Sequence, residues 1–241
     1  MATFVLVHGA WHDGGGWEAT IHHLEAMGHR ALAPTMAGHG KGANRNVNHA
    51  QCTKSIVDFI VAKSLRDIVL VGHSFGGTVI SKVAEAIPER IRRLVFQNGF
   101  VLQDGHSLID EVPPTTAAFF TQMAKESPDN TCMLPFPIWR ENFINDGDLE
   151  QAKRSYAHLS PQPFQPVSDK LDLKKFYSLE MSRSYINCTE DIALPPGEWG
   201  WHPRMSNRLG LYRLVQMPGS HQVMFTNPKG LAEKIVEAGR D

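Results

Sequence analysis

The segment Gly72-His73-Ser74-Phe75-Gly76 has the pattern G-x-S-x-G, with Gly77 directly after it. It follows the apolar run Ile68-Val-Leu-Val71 and precedes a helix-like stretch from Phe75 to about Ile87. A serine on a sharp strand-to-helix turn lifts its hydroxyl clear of the backbone. Glycines two before and two after it let strand and helix approach without a Cβ clash. The helix start supplies free N–H groups and positive potential where an oxyanion develops, with the Phe75 N–H as the expected first donor. Ser74 is therefore the candidate nucleophile; as a plain glycine turn, the segment would use the serine only as a helix cap.

A nucleophilic serine needs a base. The histidines after Ser74 are His106, His158, His202 and His221. His221 stands in Pro218-Gly-Ser-His221, a short loop between a late strand and the last helix, where the order Ser, acid, His requires it. The acid belongs after the preceding strand, and Tyr185-Ile-Asn-Cys188-Thr-Glu190-Asp191 offers Asp191. Glu190 and Asp104 are the alternatives. The acid would hold the imidazole tautomer and stabilise its charged form. A second oxyanion donor is expected on the loop after the first strand, His8-Gly9-Ala10-Trp11-His12, from the N–H of Ala10. His8 and His12 are spaced like half of a zinc motif, but they lack the helix and the adjacent Glu. The dinucleotide spacing G-x-G-x-x-G is absent, and Ala33-Pro34 ends the second strand where an acid would sit. No metal and no cofactor are expected.

The elements that must carry these residues alternate in type. Strand-like runs are Thr3–Val7, Ala31–Ala33, Asp67–Val71, Leu94–Gln97, Tyr185–Cys188 and Leu211–Met217. Helical patterns cover Trp17 to Met27, Asn48 to about Lys63 (opened by an Asn48/Gln51 capping box) and Asn227-Pro228 to Ala238. This alternation specifies an α/β class with a mostly parallel sheet flanked by helices. From about Asp104 to Leu179 the rhythm breaks into Pro-rich, aromatic-rich helices and loops. The expected organisation is a core of residues 1–103 and 180–241 with residues 104–179 inserted as a helical cap. Trp11, His12, Phe119, Phe136 and Trp139 are the candidate substrate-pocket residues.

The 241 residues carry a net charge of −1, with 42% hydrophobic and 20% charged residues. No basic block invites nucleic acid, and no run of about 18 apolar residues spans a membrane. No signal peptide is visible, and Cys52, Cys132 and Cys188 suit neither a disulfide framework nor a zinc site, so reduced thiols in a cytoplasmic protein are expected. A homo-oligomer is compatible with this composition.

Taken with their order, these segments resemble the plant methylesterase and hydroxynitrile lyase group of the α/β hydrolases. Val7-His-Gly-Ala10, Trp17, Val71-Gly-His-Ser74, Cys188-Thr-Glu-Asp191 and Gly-x-His221 carry the resemblance over nearly the whole chain, most weakly in the cap. It implies an α/β-hydrolase fold, a triad of Ser74, Asp191 and His221, and oxyanion donors at Ala10 and Phe75. The lyases carry threonine where Ala10 stands, lysine where Gln222 stands and glutamate where His73 stands. The resemblance therefore implies hydrolysis of a small-molecule ester through an acyl-enzyme rather than cyanide release. Chain length and the Gly-His-Ser-Phe-Gly-Gly run also resemble bacterial esterases that hydrolyse aromatic methyl carbamates such as carbendazim. The rival readings are a small-molecule binder with an idle triad and a lyase or cofactor-free oxygenase on the same fold.

Overall fold

Ile68–His73 is buried at every position, so this strand needs cover on both faces. The computed structural model describes residues 1–241 and provides that cover. The strands are β1 (Thr3–Val7), β2 (Arg30–Leu32), β3 (Ile68–His73), β4 (Ile91–Gln97), β5 (Thr131–Cys132), β6 (Gln162–Pro163), β7 (Ser182–Cys188) and β8 (Arg213–Met217). Six form one sheet in the order β2-β1-β3-β4-β7-β8, with every pairing parallel. The chain has the α/β-hydrolase fold.

Side chains alternate across this sheet. Val5, Val7, Leu70, Leu94 and Phe96 join one core, beneath helices α2 (His49–Ala62) and α3 (Gly76–Ala86). Phe4, Leu6, Val69, Val71 and Val95 join the other, against α1 (Glu18–Ala26) and the C-terminal helix Pro228–Ala238. The capping box that opens α2 is formed, with the Asn48 side chain accepting from the Gln51 N–H.

Three strands differ by two residues or more from the sequence expectation at their starts. β4 begins at Ile91 and β7 at Ser182, because Arg93 and Arg183 lie inside strands although they are charged. Arg93 Nη1 donates to Ser184 Oγ at 3.3 Å, and Arg183 Nη1 donates to the Leu209 carbonyl at 2.9 Å. Hydrogen-bond acceptors of this kind let a strand carry an arginine, and they leave no trace in the hydrophobic pattern. β8 begins two residues late, and Leu211 is fully exposed.

Between β4 and β7 the chain leaves the sheet. This stretch contains the antiparallel β5–β6 pair, helix α4 (Pro114–Glu126) and helix Leu149–Tyr156. It builds a small core of its own around Leu134, Trp139, Ile144 and Ala152, joined by Trp11 from below. The segment stands over the end of the sheet where β3, β7 and β8 deliver their loops.

Candidate active site

The turn after β3 is tightly determined. Ser74 has φ 51°, the left-handed region, which costs a residue with a Cβ about 1–3 kcal/mol. The surroundings hold it there. The Ser74 carbonyl accepts from Gly77 N at 2.9 Å and Phe100 N at 3.0 Å, and its own N–H donates to the Gln97 carbonyl at 3.3 Å. A Cβ on Gly72 would lie 2.7 Å from the Gly76 carbonyl oxygen, and one on Gly76 would lie 2.6 Å from that of Val7. Glycine is therefore the residue type that lets the strand and α3 meet.

His221 lies on the loop after β8. Its Nδ1 donates to Asp191 Oδ2 at 2.6 Å, and both side chains are buried. Asp191 is held by Asn98 Nδ2 at 2.6 Å on Oδ2 and by the Ala193 N–H at 2.9 Å on Oδ1. With the Nδ1 proton committed to the carboxylate, Nε2 is the nitrogen left to act on a hydroxyl. The imidazole is stacked on Trp201 at 5.1 Å, and Phe143 meets it edge-on at 5.4 Å. His73, the residue before the serine, donates Nε2–H to the His221 carbonyl at 3.0 Å. The strand that carries Ser74 thus also grips the backbone of His221.

Ser74, His221, Ala10 and Phe75 share the wall of one cavity of about 370 Å³. The N–H groups of Ala10 and Phe75 have no acceptor within the protein. Of its 25 lining residues 18 are hydrophobic and none is Asp, Glu, Lys or Arg, so the wall favours uncharged ligands. Gln162 reaches the wall with its amide already used: its Oε1 accepts from Trp11 N at 3.2 Å and from His39 Nε2 at 2.9 Å.

The other acids and histidines lie elsewhere. Asp104 accepts from the Leu173 N–H at 2.8 Å, and Glu190 is exposed. His106 pairs with Glu111 at 3.0 Å and His202 with Ser206 Oγ at 2.7 Å, while His158 is exposed. His8 is engaged on both ring nitrogens, with the Gly9 carbonyl at 2.8 Å and the Met36 N–H at 3.1 Å.

Of the five expected pocket residues, Trp11 and Phe119 line the cavity, and His12, Phe136 and Trp139 do not. Trp139 is fully buried, its Nε1 donating to Ser155 Oγ at 3.2 Å. Phe136 packs edge-on against Tyr156 at 5.2 Å. His12 sits between Trp139 and Phe225, and burial, with His221 next in weight, pushes its pKa down to about 3. These three support the wall from behind. Phe143, Ile192, Leu194 and Trp201 line it and were missed. The last three follow Asp191 on the loop after β7, so proximity in sequence to the expected acid was the available signal; Phe143 carried none.

A strained serine beside a buried Asp–His pair, at the end of a parallel sheet, defines the site class of α/β hydrolases. The profile of the Alpha/beta hydrolase family matches residues 4–234, and the chain belongs to that family. It is 34% identical to a carbendazim hydrolyzing esterase of Nocardioides sp. (strain SG-4G), over 99% of this chain and 100% of that protein. It is 27% identical to putative methylesterase 13, chloroplastic, of Arabidopsis thaliana, over 97% of this chain but 55% of that longer protein. Among solved structures, an extracellular α/β-hydrolase from a Paenibacillus species superposes with TM-score 0.98 at 45% identity, covering 100% of both chains. That protein is described as sharing structural and functional homology with tobacco salicylic acid-binding protein 2. No helix of this chain is long and apolar enough to cross a membrane.

Proposed function

We propose that the chain is a serine esterase that cleaves a small, uncharged carboxylic ester or aromatic methyl carbamate through an acyl-enzyme. The observation that carries this reading is the position of Ser74 on the same cavity wall as the Asp191-bound His221 and two unpaired backbone N–H groups. The relatives named as a carbendazim hydrolyzing esterase and a putative methylesterase support the substrate class.

In this reading His221 Nε2 takes the Ser74 hydroxyl proton as Oγ bonds to the carbonyl carbon. The oxyanion is stabilised by the N–H groups of Ala10 and Phe75. Collapse of the tetrahedral intermediate breaks the bond to the alcohol oxygen, and His221 returns the proton to the departing alcohol. Water, deprotonated by His221, then releases the acyl group. From a methyl carbamate the products are methanol and a carbamic acid, which divides into carbon dioxide and the amine. An apolar wall suits such uncharged products. Ala10 brings no hydroxyl to the wall, and Gln222, in the position of the lyase lysine, is buried away from it.

The test is hydrolysis of methyl benzoate and carbendazim by the native chain and by Ser74→Ala. Turnover is expected to fall by up to about 10⁶-fold, and a fluorophosphonate is expected to label the native chain alone. Turnover retained in the variant would overturn the reading, and so would a native chain that refuses the label.

A further inference from the structure

The cap does more than cover the cavity. Its turn Phe143–Asp146 follows the single π-helical turn Trp139–Phe143 and is anchored by Ile144, which is fully buried in the cap's own core. From this anchor the turn reaches both catalytic loops. Asn145 Nδ2 donates to the Glu190 carbonyl at 3.0 Å, one residue before Asp191. Asp146 Oδ2 accepts from the Ser220 N–H at 3.0 Å, one residue before His221, and from Thr226 Oγ1 at 2.8 Å. The Phe143 carbonyl accepts from the Gln222 N–H at 3.0 Å, one residue after His221. The loops of acid and base are therefore tied to one four-residue turn at positions 190, 220 and 222.

The loop before His221 is itself tight: Gly219 has φ +127°, and a Cβ there would lie 2.7 Å from Val223 Cγ2. Neither Asn145 nor Asp146 lines the cavity, so neither has a substrate to touch. Their bonds are spent on backbone groups of loops whose side chains must meet Ser74.

We propose that Asn145 and Asp146 are positioning residues, holding the Asp191–His221 pair in register against Ser74 from the cap side. The proposal rests on the serine-esterase reading above. His73 fixes the base from the sheet side by donating to the His221 carbonyl, and the cap turn fixes the same loop from the other. A ligand that shifts the cap thereby shifts the base. Displacing a catalytic group by about 1 Å can cost about 10²-fold in rate.

The experiment uses the full chain and phenyl acetate, a small uncharged ester. Asp146→Ala is expected to lower kcat by about 10-fold or more while KM stays within about 2-fold. Asp146→Asn keeps an acceptor oxygen for the Ser220 N–H and is expected to restore most of the rate. Asn145→Asp is isosteric but cannot donate to the Glu190 carbonyl, and is expected to lose kcat without change in KM. Urea midpoints taken alongside separate loss of rate from loss of fold, and Asn145→Asp serves if Asp146→Ala does not fold. An unchanged kcat in the folded variants overturns the proposal, as does an Asp146→Asn as slow as Asp146→Ala. Ser74→Ala run beside them keeps the two claims apart: if it retains turnover the esterase reading fails, and if it alone is inactive only the positioning role fails.

Discussion

In the floor beneath the cavity, a methyl group added to Gly76 would lie 2.6 Å from the Val7 carbonyl oxygen; in the roof, Phe119 keeps 40% of its surface in solvent. The floor consists of backbone against backbone, with Ser74 in a strained conformation and glycines where strand and helix cross. The roof consists of apolar side chains on helix α4 and on the loops around it. In the floor geometry is fixed by carbonyls that cannot move aside. In the roof it is set by side chains that can exchange volume with their neighbours. Under the proposed esterase reading, chemistry is thus assigned to the part of the molecule that tolerates least change, and choice of ligand to the part that tolerates most.

The sharpest way to test this division is at the acid. Asp191→Asn preserves shape but leaves His221 Nδ1 facing an amide, and kcat is expected to fall by about 10⁴-fold with KM little changed. A much smaller loss, with Glu190 or Asp104 variants more damaged, would move the acid elsewhere.

Acidification comes next. Burial lowers the pKa of His8, His12, His39, His49 and His73, with His12 at about 3 and His39 and His49 at about 4. Below pH 6.5 the unfolded chain takes up protons on these imidazoles while the folded chain refuses them. Stability is therefore full above that pH and falls as pH drops toward 4, by about 1.4 kcal/mol per pH unit for each group. Urea midpoints are expected to report a loss on the order of 4 kcal/mol between pH 7.5 and 6. All these histidines lie in or beside the floor, so a flat profile would break its description as a rigid, neutral base.

A smaller effect is expected from Gly76→Ala, which forces the floor apart. A loss of about 3 kcal/mol in thermal or urea unfolding is expected. The smallest belongs to the roof. Phe119→Ala is expected to change stability by less than about 1 kcal/mol, while shifting KM between small and bulky esters by a few-fold. If the two substitutions cost the same, floor and roof are not mechanically distinct.

The same division explains what could be read from sequence. The turn at Ser74 was legible because glycine spacing and a flanking buried strand are local signals. The placement of His221 and Asp191 was legible because each stands just past a sheet strand. The strand extensions to Ile91 and Ser182 were not, since Arg93 and Arg183 interrupt the apolar pattern and bond to groups far along the chain. In the roof, Trp139 and Phe119 look alike in sequence, yet one is fully buried in the cap and the other stands at the mouth of the cavity. Which way an aromatic turns in irregular backbone depends on packing that no short window contains.

The strand order β2-β1-β3-β4-β7-β8 puts the His221 loop after the outermost strand, which is also the last strand to be synthesised. A chain folding as it emerges can complete its central strands, its serine turn and most of its cavity while His221 is still unplaced. Under the proposed esterase reading, turnover begins when β8 docks, which makes activity a stringent reporter of complete folding and a partly folded molecule silent rather than promiscuous.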